Sequence, residues 1–216
     1  GVNVNLAPVL DVLADPANVI IGTRSFGADS AVVTELGLAF LRGELDAGLI
    51  PVVKHYPGHG GASLDSHAGL PALAAPDTAP FDAAIAAGAP VVMVGHLWVK
   101  PLDAQPLPAS LSPNVIAHLR RTFGGVILTD SLNMGAVTSY YSVPEAAVRA
   151  LQSGADWLIV AEPGDVPNVI GAIRNAVQRG DLSTARLDEA LTRVWALKSR
   201  LPSDVSLPSD SAAPDS

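Results

Sequence analysis

The chain has 216 residues, a formal net charge of −8, an isoelectric point near 4.9 and a mean hydropathy of +0.34. That length suits one medium domain with a sizeable core, and 49% apolar against 16% charged residues excludes a globally disordered chain. The 13 Lys and Arg are outnumbered by 21 Asp and Glu and form no basic run, which argues against a nucleic-acid partner, while the lack of cysteine excludes disulfides, Cys-based zinc sites and a thiol nucleophile.

The predicted elements alternate. Residues 2–10 are rich in Val and Leu and read as a strand; the chain begins at Gly1 in mid-pattern, as a processed chain or a piece of a longer one would. Residues 30–47 place Val33, Leu36, Leu38, Phe40, Leu41 and Leu45 at helical spacing, with Gly48 as the C-cap. Residues 50–53 form a short apolar strand, followed by a loop rich in Gly and His. A helix over 79–87 closes on Gly88, a strand covers 90–94, and a Pro-rich loop fills 101–108. Ser112 caps a helix reaching about residue 122, and a strand follows over 126–129. A helix over 144–152 opens on proline, residues 157–160 are a strand, and helices follow over 166–178 and 184–201, the last with Ser183 as N-cap. Short apolar strands separated by helices predict a parallel sheet in an α/β fold. No apolar stretch has the roughly 18 residues of a membrane span. Residues 202–216 are Ser, Asp, Pro and Ala for the most part and read as a disordered acidic tail; their three Asp carry the net charge from −5 to −8.

Three of the five His, His55, His59 and His67, lie within 13 residues directly after the 50–53 strand. Loops at the C-terminal ends of parallel strands carry active sites, and the glycines there permit backbone conformations closed to other residues. A plain surface loop and a metal site are the alternatives, although the spacing matches no common ligand motif. Asp65 and His67 stand two apart, so in extended backbone they share a side, and a carboxylate against an imidazole makes a general acid/base pair; a local Asx-turn at Asp65 is the alternative. Asp130 ends the 126–129 strand, where a carboxylate costs desolvation unless used or paired. It reads as a nucleophile or base, or as an N-cap for the next turn. Arg24 follows the first strand and could grip substrate or pair with an Asp. His96 follows the 90–94 strand; His118 falls inside a helix and reads as structural. Polar candidates after four different strands are the arrangement of a TIM-barrel enzyme.

Lys54-His55-Tyr56-Pro57-Gly58-His59-Gly60, followed by Asp65-Ser66-His67, resembles the signature of glycoside hydrolase family 3, in its bacterial β-N-acetylglucosaminidase branch. Residues 7–11 with 21–26, residues 92–96 with 108–112, residues 125–134 and the helix 187–201 agree with that family in order and spacing, so the resemblance covers nearly all of residues 1–200. It implies a (β/α)8 TIM-type barrel. Such barrels typically need about 250 residues, so the expectation is an incomplete one over residues 1–201, with strands three onward present and a need for the N-terminal segment. It further implies a retaining exo-β-N-acetylglucosaminidase acting on peptidoglycan fragments. Asp130 would be the nucleophile, His67 the acid/base and Asp65 its partner, while Arg24, Lys54 and His55 would hold the sugar. His59, His96 and Met134 are further candidates. The expected partner is a carbohydrate substrate, with no metal or organic cofactor implied. The branch includes cytoplasmic enzymes and exported lipoproteins. The family often carries a second Asp after the nucleophile, where this chain has Ser131. Two other readings stand beside it: a β-glucosidase or β-xylosidase of the same family, and an inactive truncated barrel acting as a non-catalytic or partner-dependent protein.

Overall fold

The computed structural model describes residues 2–62, 66 and 69–201. The expected Asp65 and His67 pair and the expected tail over 202–216 lie outside the described residues.

Five strands form one parallel sheet: β1 (Val4–Asn5), β2 (Ile50–Tyr56), β4 (Val91–Val94), β6 (Val126–Ser131) and β7 (Trp157–Ile159), in that spatial order. A helical crossover links each to the next: α1 (Ser30–Asp46), α2 (Ala79–Ala86), α3 (Pro113–Arg120), then α4 (Gly135–Thr138) with α5 (Val143–Ser153). This is the β/α alternation expected from the sequence. After β7 the chain turns into α6 (Val166–Arg179) and α7 (Thr184–Lys198). A two-stranded parallel ribbon of β3 (Ala72–Leu73) and β5 (Trp98–Val99) lies outside the main sheet.

Side-chain alternation divides the core in two. Val53, Val92, Val94 and Ile127 face the helices and pack with Leu41 of α1 and Phe81 of α2. Ile50, Val52, Val91, Met93, Val126 and Leu128 face the other way, under Leu197 of α7. Both faces are therefore covered, as a parallel sheet requires, and each fully buried Val, Leu or Ile contributes roughly 1.5–3 kcal/mol.

The sheet is curled. In a flat sheet of five strands the edges would stand about 19 Å apart, at roughly 4.8 Å per strand. Yet Val4 at one edge and Trp157 at the other line one cavity of about 530 Å³. The architecture is a half-barrel of the (β/α) type, with the strand ends gathered at one rim.

Helix starts follow local chemistry. Ser112, Ser142 and Ser183 accept from Val115 N, Glu145 N and Arg186 N, and Asp29 accepts from Ala31 N and Val32 N. Three strands differ from the sequence expectation by two residues or more. The first strand is shorter, because Pro8 has no N–H to give the ladder; Ala7 O and Pro8 O still accept from Val52 N and Lys54 N, and a bridge joins Val9 to Lys54. β2 runs on through Tyr56 and β6 through Ser131, which places Lys54, His55 and Asp130 within strands.

Candidate active site

Two irregularities aim the polar groups. Val53 pairs with Val92 and Tyr56 with Val94, so β2 holds one extra residue around Lys54 and His55. Leu128 pairs with Trp157 and Ser131 with Ile159, so β6 holds one extra residue around Thr129 and Asp130. There the Thr129 hydroxyl accepts from Ile159 N at 3.2 Å in place of a backbone carbonyl. Such bulges re-aim side chains at a sheet rim.

The re-aimed groups line a cavity of about 270 Å³. Arg24, Lys54, His55, His59, Asp130 and Met134 all border it. The structure thus brings six of the nine candidate residues to one wall-to-wall space, although they come from three separate stretches of chain. Apolar groups, including Ile20, Ile21, Met93 and Ile159, complete the lining.

Asp130 is half-buried, and its Oδ1 accepts from Ser131 N at 2.7 Å. It caps no helix; the residue before α4 is Met134. Burial pushes its carboxyl up, but His55, His96, the Ser131 N–H and Lys54 outweigh that and hold it below the usual carboxylate range. Burial, with Arg24 next to it, lowers the Lys54 ammonium, against the pull of Asp130 and Asp11. Arg24 ends a 3₁₀ turn, Gly22–Arg24, and its Nε and Nη2 both donate to Ile20 O at 3.0 and 2.7 Å. It makes no ion pair among the described residues.

Asp11 was not among the sequence candidates, yet it organises the wall. It is fully buried, and its Oδ2 lies 2.7 Å from His55 Nδ1. Its Oδ1 accepts from His55 N at 3.2 Å and His59 N at 2.6 Å. Burial alone would raise its pKa; the His55 ring, with the backbone N–H of His59, turns the net direction downward. Buried Asn18 was missed as well. It donates to His59 O and Ala62 O and accepts from Ile21 N, tying the Arg24 turn to the His-rich loop. The only local signal for Asp11 was the one that flagged Asp130, an acid at the end of an apolar run.

Ser66, between the two undescribed candidates, borders the cavity. Its hydroxyl is 3.1 Å from His59 Nε2, and its carbonyl accepts from Ala136 N at 2.9 Å. His96 does not reach the cavity. It is fully buried behind β6, with Nδ1 2.7 Å from Ser110 Oγ and Nε2 2.8 Å from Ser131 O. Burial lowers the pKa of both His59 and His96, so both rings are neutral at pH 7. Among the described residues no three His, Asp or Glu side chains converge as a metal site would need, and no helix is long and apolar enough to cross a membrane.

Comparison with known proteins identifies the family and agrees with the fold. The glycosyl hydrolase family 3 N-terminal domain model matches residues 1–197. The chain is 37% identical to "Beta-hexosaminidase LpqI" of Mycobacterium tuberculosis, over 94% of this chain and 55% of that protein. It is 36% identical to a "Beta-hexosaminidase" of Stenotrophomonas maltophilia, over 87% of this chain and 56% of the other. The solved glycoside hydrolase family 3 β-N-acetylglucosaminidase of a Paenibacillus species superposes with a TM-score of 0.90 at 38% identity, covering 96% of this chain and 42% of that one. The chain therefore spans about half the length of the curated relatives it matches. A half-barrel with an ionised aspartate at its rim, matched along nearly its whole length, places this chain in glycoside hydrolase family 3.

Proposed function

We propose that this chain supplies the catalytic site of a retaining exo-β-N-acetylglucosaminidase. Asp130 is the nucleophile, His67 the general acid/base and Asp65 the partner of His67. The observation that carries the reading is Asp130 itself: an ionised carboxylate on a strand bulge, with one oxygen accepting from Ser131 N and, among the described residues, no partner on the other, facing a small cavity that Arg24, Lys54 and His55 also line. The relatives named for β-hexosaminidase activity support the same substrate class.

In this reading the Asp130 oxygen not bonded to Ser131 N attacks the anomeric carbon of a terminal sugar while the leaving oxygen takes a proton from His67. A covalent glycosyl ester forms on Asp130. Water then enters, gives its proton to His67, and attacks the anomeric carbon, restoring the Asp130 carboxylate. Lys54, His55 and Arg24 bind the sugar hydroxyls. The cavity, about 270 Å³, lies near the roughly 300 Å³ lower bound of small-molecule sites and so suits one terminal sugar rather than a chain. Peptidoglycan fragments ending in N-acetylglucosamine are the proposed biological substrates.

The test is nitrophenol release from p-nitrophenyl N-acetyl-β-D-glucosaminide, compared with the plain β-glucoside. Turnover of the first, little of the second, and loss of turnover in Asp130→Ala and His67→Ala are the expected results. Unchanged rates in either variant overturn the assigned roles, and a preference for the glucoside overturns the substrate.

A further inference from the structure

We infer that His96, backed by Ser110, is a positioning residue that selects which oxygen of Asp130 attacks. The inference rests on the reading of Asp130 as nucleophile. His96 touches no part of the cavity, and it lies 35 residues from Ser131 in sequence. Its ring nevertheless fixes the residue that follows Asp130.

The proton positions follow from the partners. A carbonyl only accepts, so the contact of His96 Nε2 with Ser131 O puts the ring proton on Nε2. Nδ1 is then an acceptor and takes the Ser110 hydroxyl proton at 2.7 Å. Ser110 sits in the 3₁₀ turn Ala109–Leu111, whose first N–H donates to Leu97 O at 2.8 Å. This turn gives the hydroxyl a rigid base. Both ends of Ser131 are consequently committed. Its carbonyl accepts from His96, and its N–H donates to Asp130 Oδ1 at 2.7 Å. His96 holds the peptide after Ser131, and the N–H bond to Asp130 Oδ1 holds the peptide before it, so Ser131 is pinned on both sides and keeps its N–H aimed at Oδ1. Among the described residues Oδ1 has a partner and Oδ2 has none, which leaves Oδ2 to reach a substrate carbon.

A neutral ring suits this task, because an imidazole that stayed protonated would carry a donor on Nδ1 as well and lose its bond from the Ser110 hydroxyl proton. Burial favours the neutral form. Among the described residues, the other charged or titratable groups that share the cavity with Asp130 are Lys54 and His55 on β2, His59 beyond it and Arg24 on its 3₁₀ turn.

The experiment compares wild type with His96→Asn, Ser110→Ala, Ser110→Thr and Asp130→Ala, using the nitrophenyl N-acetylglucosaminide. His96→Asn is expected to lower kcat by roughly 10- to 100-fold, the scale of a small misplacement of reacting groups, with KM within about twofold. The acid limb of its kcat/KM profile is expected to move to higher pH, since Asp130 loses the aimed N–H that favours its ionised form. Ser110→Ala is expected to shift both in the same direction by less, and Ser110→Thr, which keeps the hydroxyl, to restore them. Melting temperature is followed in parallel. An unmoved acid limb in His96→Asn, with activity falling only as stability falls, overturns the positioning role while leaving Asp130 as nucleophile. Full activity in Asp130→Ala overturns the nucleophile reading and the inference with it.

Discussion

Asp11 and His55 are 44 residues apart in the chain and 2.7 Å apart in the fold. The same carboxylate accepts from the backbone N–H groups of His55 and His59. One buried residue on the loop after β1 thus holds both the first His of the signature loop and the turn that follows it. A carboxylate facing Nδ1 places the His55 proton there and leaves Nε2 as an acceptor for a sugar hydroxyl.

Truncating that carboxylate leaves donors without partners. Asp11→Ala is expected to lower folding stability by about 3 kcal/mol or more, at roughly 1–3 kcal/mol for each buried group left unsatisfied. Asp11→Asn still offers an oxygen to the backbone N–H groups but turns an NH₂ toward His55, forcing the other tautomer. Its stability loss is expected to be smaller, and its KM for the N-acetylglucosaminide to rise. Urea unfolding and steady-state kinetics check both. An Asp11→Ala variant that unfolds at the wild-type midpoint contradicts this account.

The buried imidazoles give stability a pH dependence. His59 and His96 have folded pKa values below the ordinary 6.5, with burial as the main cause. Below pH 6.5 the unfolded chain therefore binds protons that the folded chain refuses. Stability is highest above that point and falls as pH drops, by up to about 1.4 kcal/mol per pH unit for each proton. Asp11 and Asp130 work in a lower window. Their folded pKa values lie below the ordinary 3.8, so their contribution is present above it and is lost only at stronger acid. Melting temperature should decline between pH 6.5 and 4.5, less steeply in His96→Asn. A flat profile over that range contradicts neutral burial of the rings.

The sequence made visible whatever depends on local pattern. The strand cores around Val52, Val91, Ile127 and Leu158, the Ser112 and Ser183 caps, and the crowding of polar groups at strand ends all arise from neighbours in the chain. The strands carrying Lys54, His55 and Asp130 were legible; the bulges that aim them were not, because a bulge is defined by the partner strand. Asp11 with His55, Asn18 with His59, and His96 with Ser131 join residues 35 to 44 apart. No local spacing announces such pairs. The β3–β5 ribbon was missed for a like reason: two residues per strand leave no periodicity to read.

Asp156 makes a second buried network, at the end of the sheet away from the site. It accepts from Arg120 of α3, from Arg186 and Arg193 of α7, and from Ile127 N. One carboxylate with no side-chain exposure thus clasps two helices to the start of β7. Removing it leaves clustered guanidinium groups facing one another. Asp156→Ala is expected to cost about 3–5 kcal/mol, the range for breaking a buried pair from one side. Below its lowered melting temperature, kcat and KM should match wild type, since no lining residue of the cavity touches the network. A loss under 1 kcal/mol in chemical denaturation sinks the clasp; altered kinetics in the folded variant sink its separation from the site.

Gly60 tests how tightly the loop after β1 must approach the signature loop. A Cβ on Gly60 would sit 1.9 Å from Val12 O and 2.5 Å from Val12 C, both backbone atoms that cannot rotate away. The same contact is held by Asp15 N donating to Gly60 O at 3.1 Å. Adding one methyl must therefore push the two loops apart and draw His59 N from Asp11 Oδ1, a bond of 2.6 Å. The neighbouring Gly61 is an internal control, because among the described residues its Cβ would meet only Leu73 Cδ1, at 3.4 Å. Gly60→Ala is expected to lose about 1–3 kcal/mol, the usual cost of overpacking, and most of its turnover. Gly61→Ala should stay near wild type in both. Equal effects of the two substitutions would mean that general loop stiffening governs the site, rather than the close approach of Gly60 to Val12.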